Sequence, residues 1–373
     1  MINYIDNHTD SQKSYKAIFA YIIKKGKTTR REIQKQTNYS WSSVSSVVSA
    51  LINKKQVIET ESFNTGVGRG TSYIMPNGDK FVSIGVDINS VGYSATVIGI
   101  DGTSKFASEL PFEEKAKEQV IEKIFKIIDE CIEYVNENNF TLVSIGISCQ
   151  GRIDSTHSYF ENFFFVEDFK HLNLKKIVED KYNTYVYVEH DTNCLLEAYQ
   201  FQHAENDESV CVARVVSGIG FAICINGYSI EDFGSIDFGH MTVQPLNGEL
   251  CSCGLRGCLE AYSSTVGIAK RANVKDFQEI DNNREKYRKY LDEAAFYLGV
   301  TFNNIRRIFS IQKLIITGNV INNDQKMLDK IIDTDASISA SGVCKIKYIH
   351  DLSASFGAAR LSLIDKVGTG NSL

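Results

Sequence analysis

The sequence predicts an α/β protein in which two lobes of mixed sheet and helix follow a small winged helix-turn-helix head. Three observations predict it. Apolar, strand-like runs at residues 81–100, 142–148, after 184, 209–227 and 313–318 alternate with amphipathic segments such as 113–138, the pattern of layered α/β domains. The first 76 residues instead have helical periodicity and then two short strands around a glycine-rich turn. Charge divides at the same place: residues 1–76 hold 11 Lys+Arg and 5 Asp+Glu, leaving 29 and 41 of the chain's 40 and 46 for the remainder. A basic head on an acidic body implies a polyanionic partner for the head alone.

The chain's 373 residues are enough for two or three domains with full cores, and 43% hydrophobic with 23% charged residues is ordinary globular composition. It carries no secretory signal or long uncharged apolar run, so the expected location is the cytoplasm, with no membrane span and with reduced thiols.

In the head, Tyr15, Ile18, Phe19, Ile22 and Ile23 form the apolar stripe of a first helix over 14–25. Thr29 and Glu32 have the spacing of a capping box that opens a second helix running to about residue 36. After the turn at 37–39, Ser40 caps a third helix. Val44, Val47, Val48 and Leu51 face inward along it, and Ser42, Ser43, Ser45, Ser46 and Ser49 face out. A face of small hydroxyl side chains lets a helix approach phosphates and base edges closely. Strands at 57–63 and 71–75 would form a wing with Arg69 at its glycine-flanked tip, placed for a minor groove or a phosphate. The expected DNA-facing set is Arg30, Arg31, Ser40, Ser42, Ser43, Ser45, Ser46 and Arg69, with Trp41 as a packing anchor. A three-helix protein-interaction module is the alternative.

Three of the nine cysteines, Cys251, Cys253 and Cys258, fall within eight residues, and His240 stands eleven positions upstream. Three thiolates and one imidazole make a closed, structural zinc shell. The C-x-C-x4-C spacing is not the usual finger spacing, so the ligand count carries this expectation. Small buried cysteines or a disulfide are the alternatives, and nothing indicates the secretory context a disulfide needs. The other six cysteines, Cys131, Cys149, Cys194, Cys211, Cys224 and Cys344, read as scattered buried thiols.

Residues 239–260 contain Gly239, His240, Pro245, Gly248, Cys251, Cys253, Gly254, Gly257, Cys258, Leu259 and Glu260. This stretch resembles the signature of the ROK family, which holds repressors, uncharacterised reading frames and sugar kinases. The order of helix, helix-turn-helix and glycine-flanked arginine wing is similar to the head of ROK repressors, which the family's kinases generally lack. The resemblance spans about 12–365. It implies an actin-like ATPase (sugar kinase) fold, with the head at 1–76, a first lobe at 80–190 and a second lobe at 191–373 carrying a zinc loop at 240–258.

The resemblance also separates two functions. In the family's kinases the first phosphate turn reads D-x-G-G-T; here it is Asp87, Ile88, Asn89, Ser90 and Val91, with both glycines and the threonine replaced. The second turn is half retained at residues 216–222, and the third appears as Gly318-Asn319. Backbone N–H groups in such turns hold phosphate, so side chains there argue against ATP binding. The sugar side is better kept. Asp191 matches the aspartate that serves the kinases as general base. His190 stands where they have asparagine, and Asn162, Asp237, His240 and Glu260 align with further sugar-contacting positions. His240 belongs to both sets, so a bound sugar would feel the zinc loop.

The expected protein is therefore a sugar-responsive repressor with no catalytic residues, Asp191 being a vestigial base. It would bind operator DNA as a homodimer or tetramer and release it to a sugar, with a lean to xylose. An ATP-dependent sugar kinase is the competing reading, and a sugar-binding protein whose head contacts another protein is a third.

Overall fold

The computed structural model describes residues 10–60, 71–114, 116–153, 160–162, 166, 172–203, 209–230, 237–322, 324–338 and 345–369. Three helices open the chain: α1 (Asp10–Lys25), α2 (Arg30–Thr37) and α3 (Trp41–Asn53). The capping box forms as the sequence implies, with Glu32 N–H donating to Thr29 Oγ1 at 3.2 Å and Thr29 N–H to the Glu32 carboxylate at 2.9 Å. Asn38 takes a left-handed φ of 56° to end α2, and Ser40 caps α3 by accepting from Ser43 N–H at 3.2 Å. Strands β1 (Val57–Glu59) and β2 (Ile74–Pro76) pair antiparallel, and Thr28 bridges to Ile74 as a short third strand, giving the wing its base. Of the expected strands 57–63 and 71–75, residues 57–59 and 74–75 are paired, and 61–63 lie outside the described residues. The wing tip at 61–70, with Arg69, lies outside the described residues.

The head's apolar stripe does not close on itself. Ile18, Ile22, Ile33, Val48 and Leu51 share one core with Phe81, Ile100, Val143, Leu363 and Val367, which lie beyond residue 76. The head is thus packed onto the adjoining α/β body and is not tethered by a linker.

The next segment contributes β3 (Phe81–Ile88), β4 (Gly92–Gly99), β5 (Ser104–Pro111), α4 (Lys117–Glu137), β6 (Thr141–Cys149), β7 (Arg152–Ile153), β8 (Phe160–Asn162), α5 (Leu174–Tyr182), β9 (Tyr185–His190) and α6 (Asp191–His203). The sheet order is β5-β4-β3-β6-β9, antiparallel through the hairpins and parallel at β3–β6 and β6–β9. Every residue of β3 is buried, as a strand covered on both faces must be.

The later segment contributes β10 (Val210–Val215), β11 (Ile219–Ile225), β12 (Tyr228–Ser229), α7 (Leu259–Ser263), α8 (Thr265–Ala272), α9 (Phe277–Asn282), α10 (Arg288–Phe309), β13 (Lys313–Thr317), α11 (Gln325–Ile338) and β14 (Lys345–Tyr348). Its sheet, β12-β11-β10-β13-β14, repeats the order of the first. Two lobes built on one strand order fit the actin-like fold that the family resemblance implies.

The last helix, α12 (Ala354–Thr369), returns to the first sheet. The chain divides into one unit of Met1–Phe201 with Ser353–Leu373 and a second of Gln202–Leu352. The lobe boundary expected at 190/191 therefore falls one helix short, and the carboxyl-terminal helix belongs to the first unit. Val367 lies within α12 and is buried. Backbone-close packing explains the return: a Cβ on Gly85 would stand 1.8 Å from the Ser355 carbonyl oxygen, and one on Gly146 1.9 Å from that of Ala358. Gly85→Ala is expected to destabilise the first unit by about 3 kcal/mol, because backbone must move to admit the methyl. A thermal midpoint within a degree of wild type would refute this account of the interface.

Among the described residues no helix is long and apolar enough to cross a membrane.

Candidate functional site

The second unit gathers the four expected metal ligands. His240 ends a short 3-10 turn (Phe238–His240), and Cys251, Cys253 and Cys258 come from the loop before α7. The loop folds on bridges between Thr242 and Cys258 and between Leu250 and Arg256. Gly257, at φ +82°, passes so close to Gln244 that a Cβ would lie 2.0 Å from its carbonyl oxygen. The ligand atoms of all four residues lie within 4.8 Å of one another. His240 Nδ1 is 3.4 Å from Cys251 Sγ, and Cys253 Sγ is 3.7 Å from Cys258 Sγ. A tetrahedral ion with sulfurs at about 2.3 Å holds them roughly 3.8 Å apart, and these two pairs stand near that spacing. Burial raises the Cys251 thiol and pushes Cys258 up to about 12. A divalent cation reverses that preference by coordinating thiolate. His240 Nε2, on the ring's other side, stands 3.9 Å from the Asp237 carboxylate.

Glu260 lies in the first turn of α7, one residue past the first helical position. Its Oε1 accepts from Ser252 Oγ at 2.8 Å and stands 4.0 Å from Cys251 Sγ, while Oε2 is 3.1 Å from where a Gly218 Cβ would be. Asp237, His240 and Glu260 thus surround one loop of the second unit. The first unit holds the other expected sugar contacts. Asp191 opens α6 and is buried, 3% exposed, with its Oδ1 3.2 Å from His190 Nδ1. His190 Nδ1 also lies 2.7 Å from Thr192 Oγ1. The expected Asn162 ends β8, and its side chain lies outside the described residues.

Sequence reasoning missed Glu189. Its carboxylate accepts from His190 N–H at 2.7 Å, Asn193 Nδ2 at 3.1 Å and Tyr187 Oη at 2.9 Å, and so fixes the corner from which Asp191 projects. Its place beside His190 and Asp191 was the available signal.

The turn between β3 and β4 closes on itself. Asn89 Oδ1 accepts from Val91 N–H at 2.8 Å and Gly92 N–H at 3.3 Å, and Asn89 N–H donates to Gly92 O at 3.1 Å. Ser90 N–H reaches Gln150 Oε1 at 3.4 Å. Asn89 Nδ2 in turn holds Asp87 at 2.8 Å, and Ser148 Oγ donates to the same carboxylate at 2.6 Å. All four turn amides therefore have protein acceptors. At the other turns Val216 N–H donates to Gly218 O at 3.0 Å, and Tyr348 Oη donates to Gly318 O at 3.1 Å.

On the head, Val44, Val47, Val48 and Leu51 are buried and Ser42, Ser46 and Ser49 exposed, with Ser43 and Ser45 between. Ser40 Oγ lies 2.9 Å from both Ser42 Oγ and Ser43 Oγ, so three hydroxyls gather at the start of α3. Arg31 is exposed, whereas Arg30 forms a two-point pair with Glu59, to which Ser72 Oγ also donates. The hydrogen bond from Arg30 holds the Glu59 carboxyl below its ordinary range. Arg30 thus braces the wing against α2 instead of standing free for phosphate. Trp41 corrects its own expectation: it is 49% exposed and belongs to none of the hydrophobic cores among the described residues.

Residues 83–361 match the ROK family. The chain is 26% identical to the xylose repressor of Bacillus subtilis (strain 168) over 328 residues, covering 85% of this chain and 84% of that one. It is 27% identical to a glucokinase of Thermotoga maritima over 226 residues, 59% of this chain and 65% of that one. Among solved structures, a ROK family transcriptional regulator described as a homologue of the Escherichia coli Mlc protein superimposes with a TM-score of 0.77 at 18% identity, covering 96% of this chain and 97% of that one. A ROK family glucokinase from Streptomyces griseus, with glucose and AMPPNP, gives 0.64 at 21% identity, covering 75% of this chain and 98% of that one.

Proposed function

The chain belongs to the ROK family, and given that membership we propose that it is a sugar-responsive transcriptional repressor of carbohydrate-metabolism genes, acting in the cytoplasm as a homodimer or tetramer. The folded winged head carries this reading. A palindromic operator would be held by two copies of α3 through Ser40, Ser42, Ser43, Ser45 and Ser46, with Arg31 on phosphate and Arg69 on the wing. The glucokinase covers 75% of the chain and the regulator 96%, a difference that favours the same choice.

The residues proposed to contact a monosaccharide are Asn162, His190 and Asp191 in the first unit and Asp237, His240 and Glu260 in the second. Carboxylates, amides and imidazole suit a polyol because each fixes the direction of a hydroxyl. Xylose is the first sugar to try, since the Bacillus xylose repressor aligns with 85% of the chain. Zinc fits the cluster of His240, Cys251, Cys253 and Cys258 by donor chemistry and spacing, and when bound it supplies a fixed loop and no chemistry. An ATP-dependent sugar kinase is the second reading, and the self-satisfied turn at residues 89–92 opposes it.

The deciding experiment is footprinting of the DNA upstream of its own gene while D-xylose, D-glucose and N-acetyl-D-glucosamine are titrated. Protection that one sugar relieves supports the repressor; no protected sequence at low salt would end it.

Trp41 is the chain's one tryptophan and stands at the leading end of α3. An exposed indole there reaches thymine methyls or sugar edges as the helix enters the groove. Trp41→Ala is expected to weaken operator binding about tenfold, roughly 1.4 kcal/mol, within the range of a good base contact, with an unchanged melting midpoint. Indole emission should change as operator is added to wild type. Unaltered emission and affinity would return Trp41 to the solvent.

A further inference from the structure

The first unit contains a continuous mechanical path from Asp191 to the head. Helix α6 begins at Asp191 and is buried on most sides, including Thr192, Cys194, Leu195, Glu197, Ala198 and Tyr199. Its 13 residues span roughly 20 Å at about 1.5 Å each. At its fourth residue it meets α12 backbone to backbone: a Cβ on Gly357 would stand 1.7 Å from the Cys194 carbonyl oxygen. One turn further along each helix the contact becomes ionic. Arg360, fully buried, donates through Nε to Glu197 Oε1 at 2.8 Å. Its Nη2 donates to the carbonyls of Ile23 at 3.3 Å and Lys24 at 3.4 Å, the last turn of α1 in the head.

The guanidinium also lies 3.6 Å from the centre of the Phe201 ring. That ring fills the space beside Gly102, where a Cβ would be 2.2 Å away, and touches the position of a Cβ on Gly26, the glycine that ends α1. Arg360 Nη1 has no hydrogen-bond partner among the described residues.

We infer that α6 links the carbohydrate-facing end of the first unit to the DNA-reading head, and that Arg360 is the positioning residue that sets the head through the carboxyl end of α1. The inference rests on the sugar-responsive reading above and assigns its route. A hydroxyl bound at Asp191 shifts the start of α6. The helix is too tightly enclosed to absorb the shift by turning, so it appears at Glu197 and Phe201. Arg360 then passes it to the carbonyls that end α1, and the core shared by α1 and α3 carries it to the recognition helix. A buried ion pair suits this role because it fixes geometry more than it adds stability.

The test uses the full chain, a DNA fragment from upstream of its own gene, and the same three sugars. Operator affinity is measured with and without the sugar that releases wild type, and sugar affinity is measured without DNA. Glu197→Gln keeps the shape of the side chain and removes the charge Arg360 needs. It is expected to leave both separate affinities within about threefold while the sugar-dependent loss of operator affinity shrinks at least tenfold. Phe201→Leu, which spares the ion pair, should reduce the same ratio. Amide exchange at residues 22–26 should rise in Glu197→Gln.

A merely structural role predicts that both affinities fall together with their ratio intact, and that result overturns the inference. An intact ratio in both variants overturns it equally. If no sugar releases wild type from DNA it holds, or it holds none, the repressor reading itself fails and the route falls with it.

Discussion

Replacing Cys258 by serine is expected to give a chain that retains less than about a tenth of the single zinc ion wild type should carry, with the second unit melting at least ~10 °C lower. Cys258 is the ligand whose loss matters most: it is 1% exposed and immediately precedes α7, the helix that carries Glu260. Closed zinc sites in isolated fingers contribute on the order of 10 kcal/mol, comparable to the whole stability of an ordinary domain at about 5–15 kcal/mol. Even if packing retains half of that, the remainder exceeds the roughly 4 kcal/mol that a 10 °C shift requires in a unit of this size. Cys211→Ser is the control, since Cys211 is a buried thiol on β10 outside the four-ligand cluster. Metal analysis and calorimetry on the two variants separate a ligand from a core cysteine. Full zinc content in the Cys258 variant would reduce the cluster to four neighbouring side chains.

Much of this was legible because the deciding signals are local. The helix caps at Thr29 and Ser40 are satisfied within three residues, so spacing alone foretold them. Strands such as β3 and β6 are mostly apolar because both faces are covered over most of their length, which marks them in any window. The four metal ligands needed only proximity along the chain, apart from His240, and the glycines that allow the loop are written between them.

What escaped depends on long-range packing. Whether α12 belonged to the second lobe or the first was decided by Gly85 and Gly146, whose missing side chains admit a helix over two hundred residues away. No periodicity reports such a vacancy. Arg30 looked like a phosphate contact because its partner, Glu59, sits on the wing 29 positions later. Trp41 looked like core because tryptophan usually is, and its position at the first turn of α3 outweighs that habit. The degraded phosphate turn was visible as substitutions. That Asn89 reuses the freed amides for itself was not, although an asparagine two residues before an amide is a known local acceptor.

That last detail leads to the second large effect. Millimolar ATP with magnesium is expected to move the melting midpoint of the first unit by less than about 1 °C, and no hexose or pentose is expected to be phosphorylated at enzymic rates. A nucleotide at a hundred times its dissociation constant would add about 2.7 kcal/mol, roughly 5–10 °C for a unit of this size. A silent melt therefore places the dissociation constant at millimolar or weaker. The physical reason is competition for donors. A phosphate is held in such a turn by backbone N–H groups pointing at it, and here those of Asn89, Ser90, Val91 and Gly92 each already donate within the protein. Binding would have to break these bonds and displace the Asn89 side chain from Asp87, which would then be a buried carboxylate short of a donor. Asn89→Gly with Ser90→Gly removes the competing acceptor. If this turn is the main obstacle, a nucleotide-dependent shift of a degree or more should appear in that variant and not in wild type. A several-degree shift in wild type, with sugar phosphate accumulating, would return the protein to the kinases.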